Sequence, residues 1–251
     1  PVLLLISGGA GDRGMYAGLF EDLTAHHTVV TYDPRPFSRS RLRGPVGDQR
    51  VAEWADDARR LLDHVAPGEP ASVMGCSAGA IVALDLLARH PDRLTRVVAH
   101  EPPLVELLDD PAPHRTVFAE VRDIHRREGV GPAMVRFGEG LGEQRPEEEA
   151  LELPADVVEM AARMHANQPV FLEHVLCQFS SAIPDVNALH AAAHTLVPAV
   201  GRLSADQPAI HDPAVRLAAL LDRPLTEFPG GHMAALERPR SFAQHLLKAL
   251  A

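Results

Sequence analysis

Short apolar runs of strand length alternate with longer stretches of helical period through the first hundred residues, a rhythm that predicts parallel βαβ units. The strand-sized runs are Val2 to Ile6, Thr28 to Asp33, Pro70 to Met74 and Leu94 to His100. Between them, Met15 to Ala25 and Asp48 to Val65 carry apolar residues at helical spacing. In the second, Trp54, Ala58, Leu61, Leu62 and Val65 share one face and Asp48 stands where an N-cap belongs. From Pro102 to about Ala182 the strand signal disappears. This stretch is charged, helical in period and punctuated by Pro111, Pro113, Gly129, Gly131, Pro146 and Pro154, so it reads as an inserted helical lid. Its longest helix, Ala155 to Ser180, is expected to break at Pro169, which has no amide to donate and crowds the preceding turn. The sheet rhythm resumes with Leu196 to Gly201 and Pro224 to Phe228, separated by a helix from Pro213 to Leu221 and closed by one from Pro239 to Leu250. The expectation is an α/β fold with a mostly parallel central sheet flanked by helices. Residues 1–101 and 183–251 would form the core and 102–182 the lid. There is no internal repeat, and Glu147-Glu148-Glu149 reads as a solvated turn rather than a metal site.

Composition narrows the partners. A chain of 251 residues with 46% hydrophobic content can bury a large core. Its net charge of −10 argues against nucleic acid and against an anionic membrane surface, which leaves a small molecule as the expected partner and a homodimer open. Two cysteines make no disulfide framework, so a reducing, cytoplasmic setting is the default. Apolar runs such as Val2 to Ile6 are strand-sized, far from the roughly 20 residues that span a bilayer. The chain starts at Pro1 and enters a core strand at once, so a leader is expected in front of it.

The chemistry concentrates at Gly75-Cys76-Ser77-Ala78-Gly79, which joins the strand Pro70 to Met74 to an apolar helix, Ala80 to Ala88. A G-x-S-x-G turn in that setting holds its serine in a strained conformation, with glycines where strand and helix backbones almost touch. A serine hydroxyl needs a base within reach and a third group to orient the base. Of 14 histidines, His232 alone follows a core strand on a glycine-flanked turn, Phe228-Pro229-Gly230-Gly231-His232. For the acid, Asp206 follows the strand Leu196 to Gly201 and precedes one helix and one strand before His232, the chain order such a triad requires. Asp212 on the same loop and Glu101 at the end of the strand Leu94 to His100 are its rivals. Backbone amides for an oxyanion come from Ala78 and from the glycine-rich loop Ser7-Gly8-Gly9-Ala10-Gly11. Gly9, Gly11 and Gly14 also match a dinucleotide-binding G-x-G-x-x-G formally, with Asp33 as its acidic partner, but that reading leaves Ser77 and His232 unexplained.

These residues resemble the α/β-hydrolase fold superfamily through nearly the whole chain. Ser7-Gly8-Gly9 is similar to its His-Gly-x oxyanion loop, with serine replacing histidine. Tyr32-Asp33-Pro34-Arg35-Pro36-Phe37-Ser38-Arg39-Ser40 is similar to its Y-D-x-R-G-x-G-x-S segment, with Pro36 and Ser38 where glycines are usual. The resemblance implies Ser77 as nucleophile, His232 as base and the amides of Gly9 and Ala78 as oxyanion hole. Two departures stand out. The family's acid loop commonly reads G-x-x-D, whereas Gly201-Arg202-Leu203-Ser204 ends in serine, and the family's leading hairpin is missing.

The implied activity is a serine hydrolase cleaving a carboxylic ester, lactone or thioester through an acyl-enzyme, with no cofactor and no metal. Carbon–carbon hydrolysis, perhydrolysis and acyl transfer use the same triad, and a ligand-binding protein on this scaffold is the alternative from another class. Serine at the elbow excludes chemistry that requires an aspartate there. Cys76 is out of register and, with Cys177, reads as a buried thiol. Met160, Met164, Phe171 and Phe179 are candidates for a substrate pocket under the lid.

Overall fold

The computed structural model describes residues 1–142 and 155–251; Pro146, Glu147 to Glu149 and Pro154 lie outside them. Six strands, β1 (Val2–Ile6), β2 (Thr28–Thr31), β3 (Ala71–Cys76), β4 (Leu94–His100), β5 (Leu196–Gly201) and β6 (Thr226–Phe228), form one sheet. Their order is β2-β1-β3-β4-β5-β6, and every neighbouring pair is parallel. A parallel sheet is covered on both faces, and β1 shows how an unbroken apolar run serves both. Leu4 and Ile6 enter the cluster of Trp54, Leu84 and Leu87, while Leu3 and Leu5 enter that of Tyr16, Leu19 and Phe242.

All six strand-sized runs are strands; β1, β4 and β5 have the expected ends, and the other three differ. β2 stops at Thr31, short of Asp33, and β3 runs on to Cys76, straight into the elbow. Helices differ more. Met15 to Ala25 is a 3-10 helix, Arg13–Leu19, capped by the Asp12 carboxylate and followed by one α-turn, Phe20–Leu23. The helix Val51–Val65 starts after Arg50 with no side-chain cap, because Asp48 instead bonds His174 Nδ1 at 3.0 Å. The helix Ala155–His174 continues through Pro169 and the chain bends only at Val175, before Leu176–Ser180. Burial of Phe171 and Leu172 in the main core holds the helix across the lost hydrogen bond, so packing outweighs propensity. The helix expected from Pro213 begins at Pro208, where a missing amide costs nothing in the first turn.

Between β4 and β5 the described residues contain helices and no strand; the main ones are Ala112–Glu128, Val130–Leu141 and Ala155–His174. No helix among the described residues is long and apolar enough to cross a membrane.

Candidate active site

In the strand order 2-1-3, crossovers leave the sheet on opposite faces at β1 and β3, which opens a crevice at the strand C-termini. The loops after β1, β3, β4, β5 and β6 meet on that rim. Ser77 directly follows β3 with φ +55° and ψ −124°, its amide donating to the His100 carbonyl at 2.9 Å. The flanking glycines are obligatory on contact grounds. A Cβ at Gly75 would stand 2.2 Å from the Gly79 carbonyl oxygen, and one at Gly79 would stand 2.2 Å from that of Ile6. Both obstacles are backbone, so neither can move aside. Gly79→Ala is expected to destabilise by about 4 kcal/mol or more, the range of severe backbone clashes. Gly131→Ala, at a helical position where a Cβ meets nothing within 4 Å, should gain up to about 1 kcal/mol. Urea unfolding of the two variants checks the contrast.

His232 lies on the loop after β6, and its Nδ1 is 2.7 Å from Glu101 Oε2. Glu101 leaves β4 at φ +50° and is fully buried. Its amide donates to the Ala199 carbonyl, and its Oε1 accepts the Gly201 amide at 2.7 Å. Burial pushes this carboxyl up, but the hydrogen bond from His232 and the neighbouring imidazoles outweigh it and hold the group down at about 2. With Glu101 ionised, Nδ1 carries the proton and Nε2 is left as the basic nitrogen.

The structure does not bring Asp206 to His232. After β5 the chain turns tightly, with Leu203 donating to Gly230 O and Ser204 to Gly201 O, so the residue directed inward is the fully buried Ser204. Asp206 falls two positions later, exposed, ahead of the helix Pro208–Leu220. Asp212 bonds its neighbour His211 instead. Of the three carboxylates weighed from the sequence, Glu101 is the one in contact with His232. Ser204 occupies the position where the family pattern has aspartate, and its hydroxyl has no hydrogen-bond partner among the described residues.

Behind Glu101 sits His100, fully buried, edge-on to Phe228 and Phe242 at 5.6 and 5.4 Å, with Nδ1 3.5 Å from Cys76 Sγ. Burial drives its pKa down to about 4, against the pull of Glu101, so the ring is neutral at pH 7. Burial likewise pushes the Cys76 thiol well up, which leaves it unreactive. The His100 value lies below that of the unfolded chain, near 6.5. Protons therefore favour the unfolded state, and stability present above pH 6.5 is lost as the pH falls toward 4. Glu101 adds a loss of the same sign from about 4.5 down to about 2. Urea unfolding across pH 7 to 4 should show a steeper loss for the wild type than for His100→Leu; parallel slopes would contradict it.

The loop after β1 completes the rim. A Cβ on Gly8 would stand 2.4 Å from the Cys76 carbonyl, so loop and elbow backbones touch. Gly9 has φ +54°, and neither its amide nor that of Ala78 donates a hydrogen bond among the described residues. Ser7, where the family pattern has histidine, donates its buried hydroxyl to Gly11 O at 3.0 Å. Asp33 accepts the amides of Arg13 and Arg39, so it is spent on loop structure and is not free for a ribose.

A second network lies beside this loop. Asn167, on Ala155–His174, donates through Nδ2 to Ala10 O and to Ser38 Oγ, both at 3.0 Å, and accepts the Ser38 amide through Oδ1 at 2.9 Å. The buried Asp12 accepts from Ser38 Oγ and from Arg163 of the same helix. Ser38 stands at φ +49°, which explains why glycine is usual there. A strain of about 1–3 kcal/mol is offset by these hydrogen bonds at about 1 kcal/mol each. The one sequence trace of this network was the serine at that glycine position.

Ser77 and His232 line a common cavity of about 250 Å³ with Gly8, Gly9 and Ala10 from the core and Met134, Phe137, Met164, Gln168 and Phe171 from the helical segment. The Ser77 hydroxyl makes no hydrogen bond among the described residues. Of the four pocket candidates, Met164 and Phe171 line this cavity. Phe179 packs against Trp54 at 4.8 Å and borders a smaller apolar cleft that Ser77 also lines, while Met160 lies outside, against Gly14. No group of three or more His, Cys, Asp or Glu among the described residues could hold a metal ion.

The model of the alpha/beta hydrolase fold family matches residues 1–123. The chain is 30% identical to an uncharacterized hydrolase, YraK, of Bacillus subtilis, over 98% of this chain and 87% of that protein. Among solved structures it is similar to a thermophilic esterase from Thermogutta terrifontis, with TM-score 0.76, 20% identity, and 99% and 88% of the two chains covered. It is also similar to the enol-lactonase of Burkholderia xenovorans, with TM-score 0.72, 21% identity, and 100% and 91% covered.

Proposed function

Since the chain belongs to the α/β-hydrolase fold family, we propose that it is a serine hydrolase that cleaves a carboxylic ester, lactone or thioester of a small molecule through an acyl-enzyme. One observation carries this reading. A serine strained at the tip of an elbow lines the same cavity as a histidine whose Nδ1 is held by a buried carboxylate. Ser77 Oγ attacks the carbonyl carbon as His232 Nε2 takes its proton, a contact that closes once substrate fills the cavity. The amides of Gly9 and Ala78 receive the oxyanion, worth about 3–4 kcal/mol per donor. Glu101 keeps the imidazole in the working tautomer and stabilises the imidazolium, which then protonates the leaving alkoxide. Water deacylates the serine by the same route.

The helical segment acts as a lid that sets the substrate's character. Among the described residues the cavity lining carries no Arg, Lys, Asp or Glu, and Gln168 is the one polar side chain that the described helices contribute. Four methionines, Met15, Met134, Met164 and Met233, give it an adaptable apolar wall. An uncharged, largely apolar acyl group fits. The esterase and lactonase named among the similar structures act within this reaction class. The test is covalent: a fluorophosphonate should modify Ser77 stoichiometrically, as read by mass spectrometry, and p-nitrophenyl butyrate should be turned over. A protein that does neither is a binder on a hydrolase scaffold, and the proposal fails.

A further inference from the structure

Resting on the hydrolase reading above, we propose that Asn167 is a positioning residue that aims the Gly9 amide, so that the oxyanion hole is complete only while the helix Ala155–His174 is docked on the loop after β1.

Gly9 cannot be held by packing. It has no side chain, and the space a Cβ would occupy is open for 4 Å. Its φ of +54° belongs to a region glycine enters and leaves freely, so the direction of its amide is set by how its neighbours are tied. On one side, Gly8 is wedged against the Cys76 carbonyl, which fixes it to the elbow. On the other side the carbonyl of the next residue, Ala10, accepts from Asn167 Nδ2 at 3.0 Å. Further along, Gly11 N closes the turn onto Gly8 O, Ser7 Oγ holds Gly11 O, and Asp12 accepts from Arg163 and Ser38. The core supplies the ties at Gly8 and Gly11. The helical segment supplies the one at Ala10, directly after Gly9.

The Asn167 side chain is itself held. It is nearly buried, and its amide oxygen accepts the backbone N–H of the strained Ser38 while its nitrogen also reaches Ser38 Oγ. Both ends of the amide are used, so its orientation is fixed by two different backbone segments. Neither of its polar atoms is left to bind substrate. The neighbouring Gln168 lines the cavity; Asn167 does not. A purely structural clip would give stability alone. A clip attached one residue from an oxyanion donor also acts on the transition state, because a displacement of about 1 Å at such a donor costs up to about 100-fold.

Asn167→Ala removes both ties. Asn167→Asp keeps the volume and the acceptor for Ser38 but loses the donor to Ala10. On p-nitrophenyl acetate, whose acyl group is small, both variants should lower kcat about 10- to 100-fold with KM within about twofold of wild type. Affinity for a trifluoromethyl ketone, which forms a tetrahedral adduct with its oxygen in the hole, should weaken by the same factor. Should Asn167→Ala fail to fold, Asn167→Asp carries the test, since it keeps the bond from the Ser38 amide and removes the donor to Ala10. Unchanged kcat, a rise in KM alone, or a loss of kcat with full affinity for the ketone overturns the assignment. Absence of fluorophosphonate labelling at Ser77 in the wild type would instead overturn the underlying hydrolase reading.

Discussion

Glu101→Gln is expected to lower kcat by about 10⁴-fold, while Asp206→Asn stays within about twofold of wild type. The reason is tautomeric. Glu101 Oε2 accepts from His232 Nδ1 at 2.7 Å, and Oε1 is already committed to the Gly201 amide at 2.7 Å. A glutamine that keeps the Gly201 bond through its oxygen must present its NH₂ to Nδ1. The proton then moves to Nε2, which can no longer take one from Ser77. Turnover of a p-nitrophenyl ester by the two variants, each checked for an intact unfolding transition, decides the acid. Collapse of Asp206→Asn with Glu101→Gln near wild type would reverse the assignment. The glutamine variant also tests the stability argument: its deficit against wild type should narrow as the pH falls from about 4.5 to about 2, where wild-type Glu101 itself becomes protonated.

The second large effect is at Ser77. Removing the nucleophile is expected to cost about 10⁵- to 10⁶-fold in kcat, and adding Glu101→Gln to that variant should cost little more, because the triad acts as a unit. Ser77→Ala and Ser77→Gly should be equally inactive yet differ in stability. Alanine at φ +55° is as strained as serine, whereas glycine is at ease there, so Ser77→Gly should gain about 1 kcal/mol over Ser77→Ala in urea unfolding. Equal stabilities would mean that the elbow stores no strain at this residue.

How much was legible in the sequence follows from what each feature depends on. The strands and the elbow depend on local pattern: unbroken apolar runs, and glycines packed backbone to backbone at 75 and 79. His232 was legible because its glycine turn directly follows a strand. The acid depended on which residue of a turn points inward, and spacing alone favoured Asp206. A sharper signal was available in Ser204, since a serine at the usual acid position means the carboxylate has to come from elsewhere, and Glu101 ends the strand beside the nucleophile. Ser38 and Asn167 are 129 residues apart in sequence, and no periodicity links them. The run through Pro169 was misread because the burial that overrides the proline is a tertiary fact.

Placing the carboxylate at the end of β4 leaves the segment from Arg202 to Gln207 with no chemical duty beyond its tight turn and the inward Ser204. In the proposed triad, nucleophile and acid stand at the ends of adjacent strands joined by the α-helix Ala78–Arg89, so most of the proposed apparatus is one contiguous supersecondary unit. The outer half of the freed segment, with Leu203 and Asp206 facing water, is open to drift, to insertion and to being recruited for something new.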